Sequence, residues 1–199
     1  HALPFQGTVR GADGSEFAEV FLVDLPEEIA AGEDGPLEGT ATRRPVPPHG
    51  TRQRRLTFTE GRKFPGLQGP RHWLRSSPDG AQIGFLMKDD AGIVQFWTIS
   101  PQGGTPRQIT ANPWDIASAF TWSPDGRRVA HVMDRSIFLT DITTGVSVRL
   151  TAPAPEERAP RPYACVFSPQ GDRIAFTAPG ASGLDQIFTV AVPQLPPET

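Results

Sequence analysis

Cysteine is almost absent from this sequence. Cys165 stands alone among 199 residues, so no internal disulfide framework can form and no paired-Cys metal site exists. No apolar run approaches the ~20 residues that a helix needs to span a bilayer, which excludes membrane insertion by helices. The chain begins at His1 and shows no signal peptide, so localisation, periplasmic or cytoplasmic, stays open. Lysine is reduced to Lys63 and Lys88, and the formal net charge is −3. That balance argues against nucleic-acid binding driven by bulk positive charge. The arginines Arg43, Arg44, Arg52, Arg54 and Arg55 do not change this, because those of Arg52 to Arg55 fall on a strand whose alternate positions face water. Also missing are a Gly-X-Ser-X-Gly elbow, a phosphate loop and any His-X-His pair.

Proline and glycine are plentiful, with 22 and 20 residues, and they fall between short apolar runs. Such punctuation marks an all-β chain with many turns. Three of these turns are copies of one motif: Ser77-Pro78-Asp79-Gly80, Ser123-Pro124-Asp125-Gly126 and Ser168-Pro169-Gln170-Gly171. They stand 46 and 45 residues apart, close to the ~40–45 of a four-stranded propeller blade. Pro presets φ and Gly takes the conformation other residues avoid, so each motif closes a tight hairpin.

Each turn is followed by the same alternation. Ile83, Val129 and Ile174 come three residues after the glycine, and Phe85, His131 and Phe176 come five after it, with Gly84, Ala130 and Ala175 between them. Period two places large residues on one strand face and small ones on the other, where a neighbouring sheet can approach. A third strand follows at Phe96 to Ile99, Ile137 to Thr140 and Ile187 to Val190. An outer strand ends in Gln108-Ile109-Thr110 or Arg149-Leu150-Thr151, 11 residues after Ile99 and Thr140 respectively. Upstream, Phe5 to Val9 and Val20 to Asp24 match the second and third strands of an earlier blade, with Gly11 to Gly14 as hairpin and Gln53 to Thr57 as outer strand.

The expected fold is therefore an all-β propeller portion spanning residues 1–192. It has about four consecutive four-stranded blades: 1–57 with a Pro/Gly/Glu-rich insertion at 26–50, then 71–110, 117–151 and 161–192. The first lacks an inner strand and the last an outer one, and 193–199 forms a Pro-rich tail. Such a set is expected to belong to a larger closed ring, its missing half supplied upstream or by another chain. Ile83, Phe85, Val129, His131, Ile174, Phe176, Trp97, Phe138 and Phe188 are the expected core, and Cys165 is expected to be inert packing.

The Ser-Pro-Asp-Gly turn with its Ile-Ala-Phe-like strand resembles the repeat of TolB-type, WD40-like propellers, most clearly from Arg71 to Val192. The stretch Gly61 to Gly80 is similar to the C-terminal half of a bacterial TolB-like family linked to Tol biopolymer transport and to oligogalacturonide lyases. The resemblance implies the propeller fold. It leaves function open, since propellers host binding and catalysis alike.

In a propeller the connections from each outer strand to the next inner strand gather at one mouth of the channel. Here they are 58–72, 111–117 and 152–162, and they carry Arg62, Lys63, Arg71, His72, Trp114, Asp115, Arg158 and Arg161 as candidate ligand-binding residues. A cationic, partly aromatic rim suits an anionic small molecule or acidic oligosaccharide, although Glu60, Asp115, Glu156 and Glu157 offer local ion pairs. Two functions compete. The first is a binding platform for a ligand or protein partner. The second is a metal-assisted lyase or hydrolase on an acidic oligosaccharide, with a divalent metal whose ligands beyond His72 come from the missing half. The open edge at Asp185 to Val192 is expected to pair with a strand from outside these residues. Expressed alone, the chain is then expected to dimerise or aggregate; a monodisperse, cooperatively melting monomer in light scattering would contradict this.

Overall fold

The computed structural model describes residues 1–32, 35–70 and 73–193. Within them lie fourteen strands in four antiparallel meanders, and the sole helical element is the 3-10 turn Glu156–Arg158. The first sheet contains β1 (Ala2–Arg10), β2 (Glu16–Asp24) and β3 (Arg52–Arg55). The second contains β4 (Arg75–Ser76), β5 (Ile83–Lys88), β6 (Val94–Ile99) and β7 (Arg107–Gln108). The third contains β8 (Thr121–Trp122), β9 (Arg128–Met133), β10 (Ser136–Asp141) and β11 (Ser147–Arg149). The fourth contains β12 (Val166–Phe167), β13 (Arg173–Pro179) and β14 (Asp185–Ala191). Strand order in every sheet is the order of the chain, as in propeller blades.

The repeated turns are built alike. Gly80, Gly126 and Gly171 have φ of 71°, 71° and 72°, the left-handed region that the turn requires. The Ser77 and Ser123 hydroxyls each donate to the turn aspartate at 2.5 Å and accept the backbone N–H five residues on. In the third turn Gln170 replaces the aspartate, and Ser168 donates instead to Asp172 at 2.6 Å. These serines are structural. Successive turns also lie against each other, since a methyl added at Gly126 would sit 3.4 Å from Pro78 Cδ and one at Gly171 3.5 Å from Pro124 Cδ.

The alternation of large and small residues is resolved into a stacking rule. The Ile83, Phe85, Met87 and Trp97 face of the second sheet packs on Val20 and Leu22 of the first. Its opposite face, with Leu86 and Phe96, packs on Phe120, Trp122 and Val129 of the third. Ala130, Val132, Ile137 and Leu139 then pack on Cys165 and Ile174 of the fourth. Burial pushes the Cys165 thiol up to about 12, which leaves it unreactive, as expected.

One register position carries a facing pair of rings in every sheet: Phe5 with Phe21, Phe85 with Trp97, His131 with Phe138, and Phe176 with Phe188. Phe85 and His131 are fully buried, which confirms the expected register. The last pair departs from expectation. Phe176 is half-buried and Phe188 is 37% exposed; among the described residues no outer strand lies beside β14, and the connection 152–162 brings no large apolar side chain over the rings.

His131 is a core residue as expected. Its ring lies parallel to Phe138 at 6.2 Å, and Nε2 is 2.8 Å from the Thr140 hydroxyl. Burial holds its pKa down at about 4. The native state therefore disfavours the protonated ring. Stability is full above pH ~6.5, where the unfolded imidazole is neutral, and is lost as pH falls toward 4, in all by roughly 3 kcal/mol. In thermal melts across this range His131→Phe, which installs the ring found at Phe85 and Phe176, is expected to flatten the dependence. A second expectation concerns Gly84, where a Cβ would stand 2.8 Å from Phe96 and 3.0 Å from Phe120. Gly84→Ala is expected to cost about 1–3 kcal/mol in urea unfolding, although the sister positions are the alanines Ala130 and Ala175.

Candidate functional site

The antiparallel meander puts the Ser-Pro turns at one end of the blades and the connections 58–72, 111–117 and 152–162 at the other. Each connection is tied down where its outer strand ends. The backbone N–H groups of Val20, Phe96 and Ile137 donate to the hydroxyls of Thr57, Thr110 and Thr151, at 2.8, 2.9 and 3.0 Å. In the first two sheets the threonine hydroxyl in turn donates a hydrogen bond to a buried side chain: Thr57 to Glu19, and Thr110 to Gln95 at 2.6 Å. Glu19 also accepts the Thr59 N–H and hydroxyl at 2.7 and 2.8 Å and pairs with Arg55 at 3.0 Å. Gln95 accepts the Asn112 N–H at 3.1 Å and donates to the Asn112 carbonyl at 2.9 Å. Both groups are fully buried and satisfied, so they fix the start of the loop that follows. In the third sheet the corresponding residue is Ser136, held by Arg149, whose guanidinium also pairs with Asp134 at 2.5 Å.

The residues expected at the rim separate into two sets. Four are committed to internal contacts. Arg62 donates to the Lys88 carbonyl at 3.0 Å, lies 3.5 Å from the Asp90 carboxylate and sits 4.8 Å over the Trp97 ring. Lys63 donates to the Asp90 carbonyl at 3.4 Å. Asp115 accepts the Val94 N–H at 2.6 Å. Arg161 pairs with Asp185 at 2.8 Å. The other two are open: Trp114 is 47% exposed, and the exposed Arg158 guanidinium has no hydrogen bond or ion pair among the described residues. Arg71 and His72 lie outside the described residues.

Three further aromatic residues were not singled out from the sequence. Phe58, Trp73 and Tyr163 are 69%, 43% and 45% exposed, and all belong to, or directly flank, the connections at this end. Guanidinium groups accompany them: Arg55 lies 4.6 Å over Phe58, Arg75 5.3 Å over Trp73, and Arg149 5.9 Å over Trp114. The available signal was the presence of rings where no strand period calls for them. An open cleft of about 520 Å³ at the same end is bounded by Gln68, Gly69, Lys88 and Asp115.

Metal chemistry finds no support in the described residues. Among them no group of three or more His, Cys, Asp or Glu could hold an ion. His131 is enclosed in the core, and His49 lies in the insertion.

No family model matches the chain. Over 184 residues it is 47% identical to the uncharacterized protein YidR of Escherichia coli K12, a match covering 90% of the chain. It spans only 44% of that relative's length. Among solved structures, a putative TolB from Agrobacterium tumefaciens superposes with a TM-score of 0.51 at 24% identity, covering 95% of this chain and 58% of the other. An oligogalacturonate lyase in complex with manganese superposes with a TM-score of 0.58 at 15% identity, covering 87% and 46%. Identities this low speak for the fold alone. With its repeated turns, meandering sheets and blade-on-blade packing, the chain has the TolB-like β-propeller fold.

Proposed function

We propose that this chain is a binding platform whose docking surface is the connection end of its blades, facing a protein partner. The observation that carries this reading is the set of exposed rings Phe58, Trp73, Trp114 and Tyr163, three of them accompanied by arginines. Trp, Tyr and Arg are the residue types that dominate binding hot spots, because they offer a large contact area with few rotors to freeze. The buried clasps at Glu19 and Gln95 support the reading, since they hold the loops in place before any partner arrives.

The same reading places the chain beside a further propeller segment, upstream or on another polypeptide. Each internal joint sets the face bearing the ring pair of one sheet against the opposite face of the sheet before it. Among the described residues no further sheet packs on the half-buried Phe5–Phe21 face of the first sheet or on the opposite face of the fourth, where Val166 and Ile187 are 58% and 78% exposed. These are the two halves of one more joint of the same kind.

A second reading is a metal-assisted lyase or hydrolase on an acidic oligosaccharide. The likeness in fold to an oligogalacturonate lyase favours it, as does Arg158, which has no ion pair among the described residues. It needs its metal ligands from elsewhere.

The two readings part in one comparison. The triple variant Trp73→Ala, Trp114→Ala, Tyr163→Ala is expected to keep its melting temperature within a few degrees. It is also expected to lose more than tenfold in retention of a cross-linked partner from bacterial extract, at about 2 kcal/mol for each anchoring ring. Incubation with oligogalacturonate and manganese is expected to leave the saccharide intact. Formation of an unsaturated product would favour the second reading instead.

A further inference from the structure

Lysine occurs twice in this sequence, and both ammonium groups lie over one ring: Lys63 Nζ stands 5.2 Å and Lys88 Nζ 5.4 Å from the centre of Phe64. Their surroundings differ. Lys63 donates to the Asp90 carbonyl at 3.4 Å, whereas the Lys88 ammonium has no hydrogen bond or ion pair among the described residues. Lys88 bounds the cleft of about 520 Å³, together with Gln68, Gly69, Pro70, Val94 and Asp115.

Each polar residue of that wall is held by part of itself and has another part left over. Lys88 ends β5 opposite Val94, and its carbonyl accepts Arg62 at 3.0 Å, so the ammonium remains. Gln68 donates its backbone N–H to the Leu86 carbonyl at 3.0 Å and its side-chain amide to the Pro65 carbonyl at 3.0 Å. Its amide oxygen has no partner among the described residues. Asp115 accepts the Val94 N–H at 2.6 Å through one carboxylate oxygen, and the second oxygen is likewise without a hydrogen bond. No ion pair joins Lys88 to Asp115, although both border the same cleft. The frame behind them is fixed. A Cβ at Gly69 would stand 2.9 Å from Leu86 Cδ1, so that wall is seated directly on the second sheet. Every one of these residues belongs to the second sheet or to the connections 58–72 and 111–117 that enter and leave it. The volume falls within the roughly 300–1,000 Å³ of small-molecule sites, which set a few polar groups in an otherwise apolar wall.

We infer that this cleft binds a small zwitterion, a free α-amino acid with an uncharged side chain. Its carboxylate accepts from the Lys88 ammonium. Its own ammonium donates to the second Asp115 oxygen and to the Gln68 amide oxygen, and its side chain lies against Pro70 and Val94. A cationic donor, an anionic acceptor and a neutral acceptor match the two charged ends of such a molecule group for group. A simple anion would satisfy Lys88 but bring its charge against Asp115, and a simple cation would do the reverse. No further charged side chain among the described residues bounds the cleft, so the ligand's side chain needs no charge of its own. Neither the exposed rings nor a second polypeptide enters this site, so partner docking and ligand binding can fail separately.

The test titrates the full chain by calorimetry with L-leucine, L-valine, L-glutamine and L-phenylalanine in turn. At least one is expected to bind saturably. Its N-acetyl derivative, which lacks the ammonium, and its methyl ester, which lacks the carboxylate, are each expected to bind about tenfold more weakly. Asp115→Asn keeps an oxygen for the Val94 N–H. It is expected to weaken the amino acid about tenfold and to leave the N-acetyl derivative unchanged. Lys88→Gln is expected to weaken the amino acid alike and to leave the methyl ester unchanged. Melting of both variants without ligand checks that they fold, and the comparison of derivatives on the unaltered chain stands whatever the variants do. The proposal is overturned if none of the amino acids binds at millimolar concentration, if the derivatives bind as tightly as the parent, or if binding survives both substitutions. Galacturonate binding more tightly than every amino acid would overturn the choice of a zwitterion.

Discussion

The constraint on which the rest of this structure depends is the close approach of neighbouring sheets. A twisted four-stranded sheet buries little apolar area by itself, and stability comes from setting one blade face on the next. Here the approach depends on small residues beneath large ones. Gly84 lies under the Phe96 and Phe120 rings, which meet edge to face at 4.7 Å, and no side chain would fit at that point without displacing them. The opposite face of each blade carries the ring pair, so the faces differ in shape and the stack has a direction. The antiparallel order of the strands in turn sends every inner-strand turn to one end and every inter-blade connection to the other.

Polar groups complete what apolar packing begins. Where an outer strand ends, the chain must leave the sheet, and its first loop amides would otherwise be buried without partners. Glu19 and Gln95 accept those amides and the threonine hydroxyls besides, so a fully buried carboxylate is compensated by four donors from one short stretch, Arg55 to Thr59. The consequence for function is direct. The loops begin from fixed points, and their exposed rings are presented by rigid bases. Much of the positive charge near them is absorbed locally, because Arg55 and Arg149 serve the clasps, and Arg62 and Arg161 tie their connections to the second and fourth sheets. What remains exposed at this end is mainly aromatic surface, together with Arg158.

Propeller scaffolds separate these two tasks cleanly. The blades repeat because each must stack on its neighbour, whereas the connections differ in length and composition because nothing in the stacking restrains them. The loops therefore carry whatever individuality this chain has, and the likeness to TolB and to oligogalacturonate lyases describes the blades. In the fourth sheet, where no outer strand pairs with β14 among the described residues, the Phe188 ring is 37% exposed.

The amino-acid sequence by itself determined the repeat, the strand order, the register and the burial of Phe85, His131 and Cys165. All of these follow from local rules: a turn that needs Gly at positive φ, and an alternation of period two that assigns each residue a face. Even the recurring Thr57, Thr110 and Thr151 were visible as strand ends. Their partners Glu19 and Gln95 were not, because a buried carboxylate or amide 38 or 15 residues away has no local signature. Tertiary structure alone decided which rim residues are available. Arg62 and Arg161 look alike in sequence to Arg158, but Lys88 and Asp185 come back across the fold to bind the first two. The exposure of Phe188 was decided in the same way: its face was written in the alternation, while its cover depends on packing from outside its own strand, which the alternation does not specify.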